Sequence, residues 1–231
     1  MKTLLKISWR NVWRNKARSI VIILAIAAGL WGGTFATALM TGMIEQKFVS
    51  TIKNQVSHIQ VHHPEFIREN LTEFEVIDHE ALVAELENHE KVLSFSARIL
   101  ANGMMANASM TSGVEIFGIN TDQENRTTSF KDAVIDGDYF ESVTRNPILI
   151  GAKLAEKMKI TTGNRIVLTF QDIQGEIISA SFRVCGIYRT SNTTNDGRNV
   201  YVKKSDLLAL LGKEEVVNEV AILLHNLDDV S

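Results

Sequence analysis

The sequence predicts an α+β protein: an N-terminal transmembrane helix with a stalk, followed by a mixed α+β domain of two small subdomains. Three observations lead there. Residues Ser19 to Ile44 carry no charged side chain, with Arg18 closing the run on one side and Glu45 on the other. Beyond it, short alternating segments and amphipathic segments follow one another in mixed order, the pattern of strands and helices segregated within one α+β layer arrangement. The composition (231 residues, 45% apolar, 22% charged, two prolines, one cysteine) is globular and excludes collagen, low-complexity disorder and a disulfide-stapled mini-domain.

Charge is distributed unevenly. Six of the 24 Lys and Arg residues (Lys2, Lys6, Arg10, Arg14, Lys16, Arg18) lie in residues 1–18, which contain no acid; the other 18 share residues 19–231 with 27 Asp and Glu, a net of −9. A nucleic-acid binder spreads positive charge over its binding domain, so that class is excluded as a partner. The cytoplasmic segment 1–18 places Leu5, Trp9, Val12 and Trp13 at i, i+4, i+7, i+8, with Lys6, Arg10 and Arg14 turned away. A basic amphipathic segment with Trp on its apolar face suits a membrane surface. Trp9, Arg10, Trp13, Arg14, Lys16 and Arg18 are therefore the candidate membrane-surface residues.

The transmembrane helix is assigned to 19–44. Its centre, Ile20–Met43, spans about 36 Å as a helix against a hydrocarbon core of about 30 Å. Nine Leu, Ile, Val or Phe residues contribute roughly −3 to −5 kcal/mol of insertion free energy. The basic flank places residues 1–18 in the cytoplasm by the positive-inside rule. A cleaved signal peptide is the competing reading, with Ala36-Thr37-Ala38 as its site, but the preceding region is long and the apolar run exceeds 7–15 residues. Inside the span Ala25, Gly29, Gly33 and Thr37 repeat every four residues, beside Ala28, Gly32 and Ala36. Such a small-residue stripe lets another helix approach closely in lipid, and defines the candidate helix-packing face. The helical pattern continues as a stalk over 45–56, with Ile44, Phe48, Ile52 and Val56 in register.

The outer domain is assigned to 57–231. His58–His62 alternates and reads as a strand ending before Pro64. Asp78 is expected to cap a helix running to Asn88. Val92–Leu100, Met104–Met110 and Val114–Ile119 are expected strands; Asp136-Gly137-Asp138 is an expected turn into a short helix over Tyr139–Val143. Ile148–Ile150 is a strand and Lys153–Met158 a helix; Arg165–Phe170 and Glu176–Val184 form a hairpin around Gly175. Val200–Val202 is a strand, Ser205–Leu211 a helix ended by Gly212, and Glu219–Leu224 the last strand. About nine strands and four or five helices result.

Catalytic signatures are absent from the sequence. It has no G-x-x-x-x-G-K-[ST] loop and no G-x-S-x-G elbow, so ATP energy must come from another chain, and Ser112-Gly113 has no catalytic neighbour in sequence. His58 and His62 share a strand face about 13 Å apart, too far to grip one metal ion. Asp136 and Asp138 lack the remainder of a calcium loop. Cys185, within an apolar segment, reads as a buried small hydrophobe. Asn-x-Ser/Thr sequons stand at Asn70, Asn107, Asn125 and Asn192. No catalytic, cofactor or metal site is assigned.

Several segments together resemble the FtsX/MacB-type ABC transporter permeases, in the style of the lipoprotein-releasing permeases. Trp9-Arg10-Asn11-Val12-Trp13-Arg14-Asn15-Lys16-Ala17-Arg18-Ser19 is similar to the family's R-N-x-x-R-N-K-x-R-S run before its first membrane helix. Gly151-Ala152-Lys153-Leu154-Ala155-Glu156-Lys157-Met158 with Gly163-Asn164-Arg165-Ile166-Val167-Leu168 resembles its G-x-x-L-A-x-x-L…G-D segment, with Asn164 where Asp is usual. Phe182-Arg183-Val184-Cys185-Gly186-Ile187-Tyr188-Arg189-Thr190 resembles the F-x-V-x-G-I-y-x-T strand. Val200-Tyr201-Val202 with Asp206-Leu207, and Ser57-His58-Ile59-Gln60-Val61, resemble further family segments. The resemblance implies a non-enzymatic permease subunit in a bacterial inner membrane, with a periplasmic core domain that is incomplete at its C-terminus here and three further helices beyond. It implies a cytoplasmic ABC ATPase partner, a second permease subunit in a homo- or heterodimer, membrane lipid around the helix, and a periplasmic cargo or chaperone. It implies no cofactor in this chain. The activity implied is ATP-driven movement of the periplasmic domain for lipoprotein or lipid release, or for efflux of a substrate from the periplasmic side. The alternative is a single-pass anchored sensor or scaffold whose outer domain binds a protein.

Overall fold

The computed structural model describes residues 9–10, 13–51, 57–66, 73–128, 130–172 and 174–226. The chain divides into two compact units, one ending at Phe48 and the other beginning at Val49. In the first, a 3-10 turn at Trp13–Asn15 leads into α1 (Lys16–Thr51), a continuous helix of 36 residues. No proline interrupts it, and its threonines do not compete with the ladder. The Thr34 hydroxyl donates to the Leu30 carbonyl (2.9 Å) and the Thr37 hydroxyl to the Gly33 carbonyl (2.6 Å). Each hydroxyl is thus satisfied within its own helix, the condition for a polar group to lie in hydrocarbon. Stalk residues 52–56 lie outside the described residues.

The second unit is a mixed helix-and-strand domain. In chain order it contains β1 (Ile59–His62), α2 (His79–Asn88), β2 (Val92–Ala106), β3 (Thr111–Ile119), α3 (Thr121–Thr127), β4 (Val134–Gly137), β5 (Pro147–Gly151), α4 (Ala152–Met158), β6 (Arg165–Gln171), β7 (Ile177–Tyr188), β8 (Asn199–Lys203), α5 (Lys204–Leu211) and β9 (Glu219–Leu224). The strands are paired in the order β1-β9-β2-β3-β8-β5-β7-β4, and β6 bridges β2 and β7. The ring β2-β3-β8-β5-β7-β6 therefore closes on itself as a six-stranded barrel. Its β3–β8 and β5–β7 pairs are parallel and the others antiparallel. Closure removes the free edges that an open sheet would expose.

Alternation along the strands fills the barrel. Ile99, Met105, Ile116, Ile148, Ile150, Leu168, Phe182, Val200 and Val202 project into one cluster, closed off by Leu154 and Met158 of α4 and Leu207 of α5. The intervening residues Leu100, Phe117, Leu149, Tyr188 and Tyr201 form a second, aromatic layer with Phe130, Tyr139 and Phe140. Strands β5 and β8 are consequently buried on both faces and read as unbroken apolar runs. A third cluster lies outside the ring: Val76, Ala97, Val217, Val220, Ile222 and Leu224, packed by Leu82 and Leu86 of α2. Strand β2 serves both parts. Its first half pairs with β9, and its second half pairs with β3 and β6.

Three expectations are corrected. Val92–Leu100 and Met104–Met110 are not two strands but one, β2, ending at Ala106. Gly103 marks a close approach within this strand, because a Cβ there would meet the Thr169 carbonyl at 2.6 Å. The expected helix over Tyr139–Val143 is absent. Asp138 does accept from the Glu141 and Ser142 amides (2.7 and 3.0 Å), as a helix cap would. Phe140, however, takes a left-handed φ of 67° to drive both aromatic rings into the second cluster. Asp136 and Gly137 belong to β4 and not to a turn. Asp78 does stand at the start of α2, but in a left-handed conformation and without a side-chain cap bond; its carbonyl accepts from the Leu82 amide at 3.0 Å. Helix α3 was not expected, because its polar sequence has no apolar periodicity. Asn120 caps it, accepting from the Asp122 and Gln123 amides.

Candidate functional site

The membrane-surface residues come first. Trp9 and Trp13 do share a face, their ring centroids 6.1 Å apart. Both are exposed, as are Arg10, Arg14, Lys16 and Arg18. Leu5, Lys6 and Val12, the other members of the expected amphipathic pattern, lie outside the described residues. The stretch Trp13–Ile44 has a mean hydropathy of 2.0 in its most apolar window and no buried residue there; by length and composition it is able to cross a membrane. It is the one such helix among the described residues.

The small residues of this helix lie along one side of it. At 100° per residue, Ala25, Gly29, Gly33 and Thr37 advance in steps of about 40°, a narrow stripe with Ala28, Gly32 and Ala36 beside it. A Cβ added at Gly29, Gly32 or Gly33 would meet nothing within 4 Å. On another face Trp31 stacks on Phe35 at 5.7 Å. The stripe is therefore a shallow groove between bulky apolar flanks, without an occupant from the described residues of this chain.

The outer domain holds a buried ionic cluster that sequence reasoning missed. Arg98, on β2 where the strand passes from one half of the sheet to the other, is 1% exposed. Its Nε and Nη2 donate to the two carboxylate oxygens of Glu124 on α3 (2.8 and 2.7 Å), and its Nη1 donates to Glu219 on β9 (2.5 Å). The Ser96 and Thr128 hydroxyls complete Glu124 (2.8 and 3.0 Å), and His62 of β1 lies 3.4 Å from Glu219. Burial alone pushes the guanidinium's pKa down, but the two carboxylates outweigh it and hold it above its ordinary value. Such a cluster fixes position more than it adds stability. Here it locks β1, β2, α3 and β9 into one arrangement. The sequence signal was present: one arginine inside the apolar strand Val92–Ala106 needs buried partners.

The remaining chemistry is structural. His58 Nδ1 accepts from the Leu224 amide (3.1 Å), while His62 and His63 stack on Phe66 and Phe74. Among the described residues no three His, Cys, Asp or Glu side chains are grouped to hold a metal. Lys157 donates to the Ser112 hydroxyl (3.0 Å), which also lies 3.4 Å from the Gly113 carbonyl, a polar contact at the strand start. Cys185 is buried, donates to the Ile148 carbonyl (3.3 Å), and has its thiol pKa pushed up to about 11 by desolvation. Of the sequons, Asn107 anchors a turn through the Met158 carbonyl and the Ser109 and Met110 amides, and Asn192 receives the Thr194 and Asn195 amides; Asn70 lies outside the described residues.

The family-like segments fall at tight points of the fold. A Cβ at Gly151 would collide with the Asp196 backbone, and one at Gly186 would meet the Asp138 carbonyl at 2.6 Å. No side chain larger than hydrogen fits either place.

No family model matches this chain, and no curated protein matches it. Solved structures do. The extracellular domain of the noncanonic ABC-type transporter YknZ from Gram-positive bacteria is 17% identical with a TM-score of 0.48, covering 74% of this chain and 84% of that one. The periplasmic region of MacB from Actinobacillus actinomycetemcomitans is 11% identical with a TM-score of 0.44, covering 63% of this chain and 64% of that one. This chain therefore spans less than two thirds of the MacB region. The first is an extracellular domain and the second a periplasmic region of their own proteins.

Proposed function

We propose that this chain is a permease-type subunit of an ABC transport system, in which α1 crosses the bacterial inner membrane and the domain from residue 57 onward lies on its outer side. The carrying observation is α1 itself. Its apolar surface is wholly exposed and its glycine stripe is empty, while the sequence motifs that resemble the permease family run on from it into a separately cored α+β unit. Trp9, Arg10, Trp13, Arg14, Lys16 and Arg18 would lie on the cytoplasmic membrane surface, where an ATPase subunit couples to the helix. A helix of a second permease subunit or of a longer permease would fill the stripe. This chain would hydrolyse no ATP; it would pass the stroke to the outer domain for lipoprotein or lipid release, or for efflux from the periplasmic side.

Gentle detergent extraction from native membranes, followed by affinity purification of the full chain, tests this. The expected result is co-purification of an ATP-hydrolysing subunit and of a second membrane subunit. Recovery of this chain without ATPase activity or partner helices would end the permease reading and leave an anchored sensor or scaffold.

A further inference from the structure

A groove of about 1050 Å³ runs between the segment 137–146, the turn 162–165 and strand β7. Three arginines line it: Arg145, Arg165 and Arg183. Arg165 and Arg183 are directly opposed partners in the antiparallel β6–β7 ladder, so their side chains leave the sheet on the same face. Arg145 is brought beside them because the Arg183 amide donates to the Asn146 carbonyl (2.9 Å) and the Asn146 side chain donates to the Ser181 carbonyl (3.0 Å). None of the three has a carboxylate within 4 Å among the described residues. Asp138, the one acidic residue lining the groove, spends an oxygen on the Glu141 and Ser142 amides of its own turn.

Two like charges placed directly opposite each other destabilise a sheet. Here a third cation joins them, in a chain whose residues 19–231 carry a net charge of −9. Three exposed guanidiniums against the single carboxylate of Asp138 leave the groove net cationic. A carboxylate would neutralise one of the three charges, whereas a phosphate monoester brings nearly two negative charges and three acceptor oxygens. Guanidinium forks on adjacent strands match that geometry. The acidic remainder of the domain disfavours a long polyanion such as nucleic acid and favours a small ligand.

We infer that this groove is a binding site for a phosphate-bearing small molecule or lipid headgroup, its phosphate held between Arg165 and Arg183 with Arg145 closing over it from the loop. The test uses the full chain in phosphatidylcholine nanodiscs, titrated calorimetrically with pyrophosphate and, separately, with dihexanoyl-phosphatidic acid, whose headgroup is a phosphate monoester, at ionic strength matched with chloride. Binding of at least one probe is expected, weakened at least tenfold by Arg165→Gln or Arg183→Gln and unchanged by Lys213→Gln. A response to pyrophosphate alone assigns a soluble phosphate, a response to the lipid alone assigns a headgroup, and both support the site. In phosphate-free buffer Arg183→Gln should also raise the melting temperature of the outer domain by about 1–3 °C, through relief of the opposed charges. This guards against a variant that fails to bind because it fails to fold. Absence of binding by both probes, or equal binding by wild type and both variants, overturns the inference. So does a lowered melting temperature in Arg183→Gln with binding retained.

Discussion

Along α1, Ile20, Leu24, Leu30, Trp31 and Phe35 expose between 47% and 71% of their surface, whereas Ile148, Ile150 and Leu154 in the barrel expose none. The two regions are about equally rich in Leu, Ile and Val, so composition does not separate them. What separates them is where the partner atoms come from. The barrel supplies its own, through alternation on six strands that close a ring. The helix satisfies its backbone and the hydroxyls of Thr34 and Thr37, and over Ile20–Ile44 leaves its large apolar side chains and the glycine stripe to its surroundings. In the function proposed above, lipid and other helices would supply those contacts. The outer domain is a solved packing problem, and the helix is half of one.

That contrast is open to direct test, because all three tryptophans (Trp9, Trp13, Trp31) lie in the helical unit and all three tyrosines (Tyr139, Tyr188, Tyr201) in the outer domain. The largest effect is expected from Arg98→Met, which leaves Glu124 and Glu219 buried without their cation and should destabilise the outer domain by about 3–5 kcal/mol. Urea unfolding followed by tyrosine near-UV dichroism measures it, and a loss below about 1 kcal/mol would mean that the cluster is solvated and holds nothing. Next comes Cys185, with a thiol pushed up to about 11 behind the barrel wall. At pH 8 its alkylation in the native protein should be roughly 100-fold slower than in the urea-unfolded chain. Equal rates would show that this part of the domain opens as freely as the helix surface. The smallest effect is expected from the stripe. Gly29→Leu or Gly33→Leu should reduce intermolecular cross-linking in membranes several-fold, more than Leu30→Ala does, while the tyrosine melt stays within about 0.5 kcal/mol of wild type. Cross-linking reduced equally by all three would remove the packing-face argument.

Much of the fold was legible because the responsible forces are local. The hairpin of β6 and β7, the last strand β9, and the Gly212 stop of α5, at a left-handed φ of 64°, are each written in alternation or in a single residue's permitted dihedrals. Misreadings came where a distant part of the chain overruled a local signal. The strand expected to end at Leu100 runs on to Ala106, because β6 pairs against Gly103. The short helix expected over Tyr139–Val143 does not form, because burial of Tyr139 and Phe140 turns the chain away. Of the candidate site, the basic and aromatic flank and the small stripe were visible as spacing. The ring contact of Trp9 with Trp13 and the emptiness beside Gly29 and Gly33 needed coordinates.

From the sequence alone follow one apolar helix able to cross a membrane, its basic end, and a mixed domain of alternating strands and short helices. These rest on hydropathy and periodicity, which depend on neighbours in the chain. The tertiary structure alone decided that β2 is one strand shared by two halves of the sheet, that the ring closes through β6, and that Arg98 gathers Glu124 and Glu219. It also decided that Arg145, Arg165 and Arg183 gather around one groove without a carboxylate partner among the described residues. Each of these joins residues far apart in the chain, Arg98 and Glu219 being separated by 121 positions. Strand register and ion pairing are set by which surfaces meet after folding, and no window of sequence contains both partners.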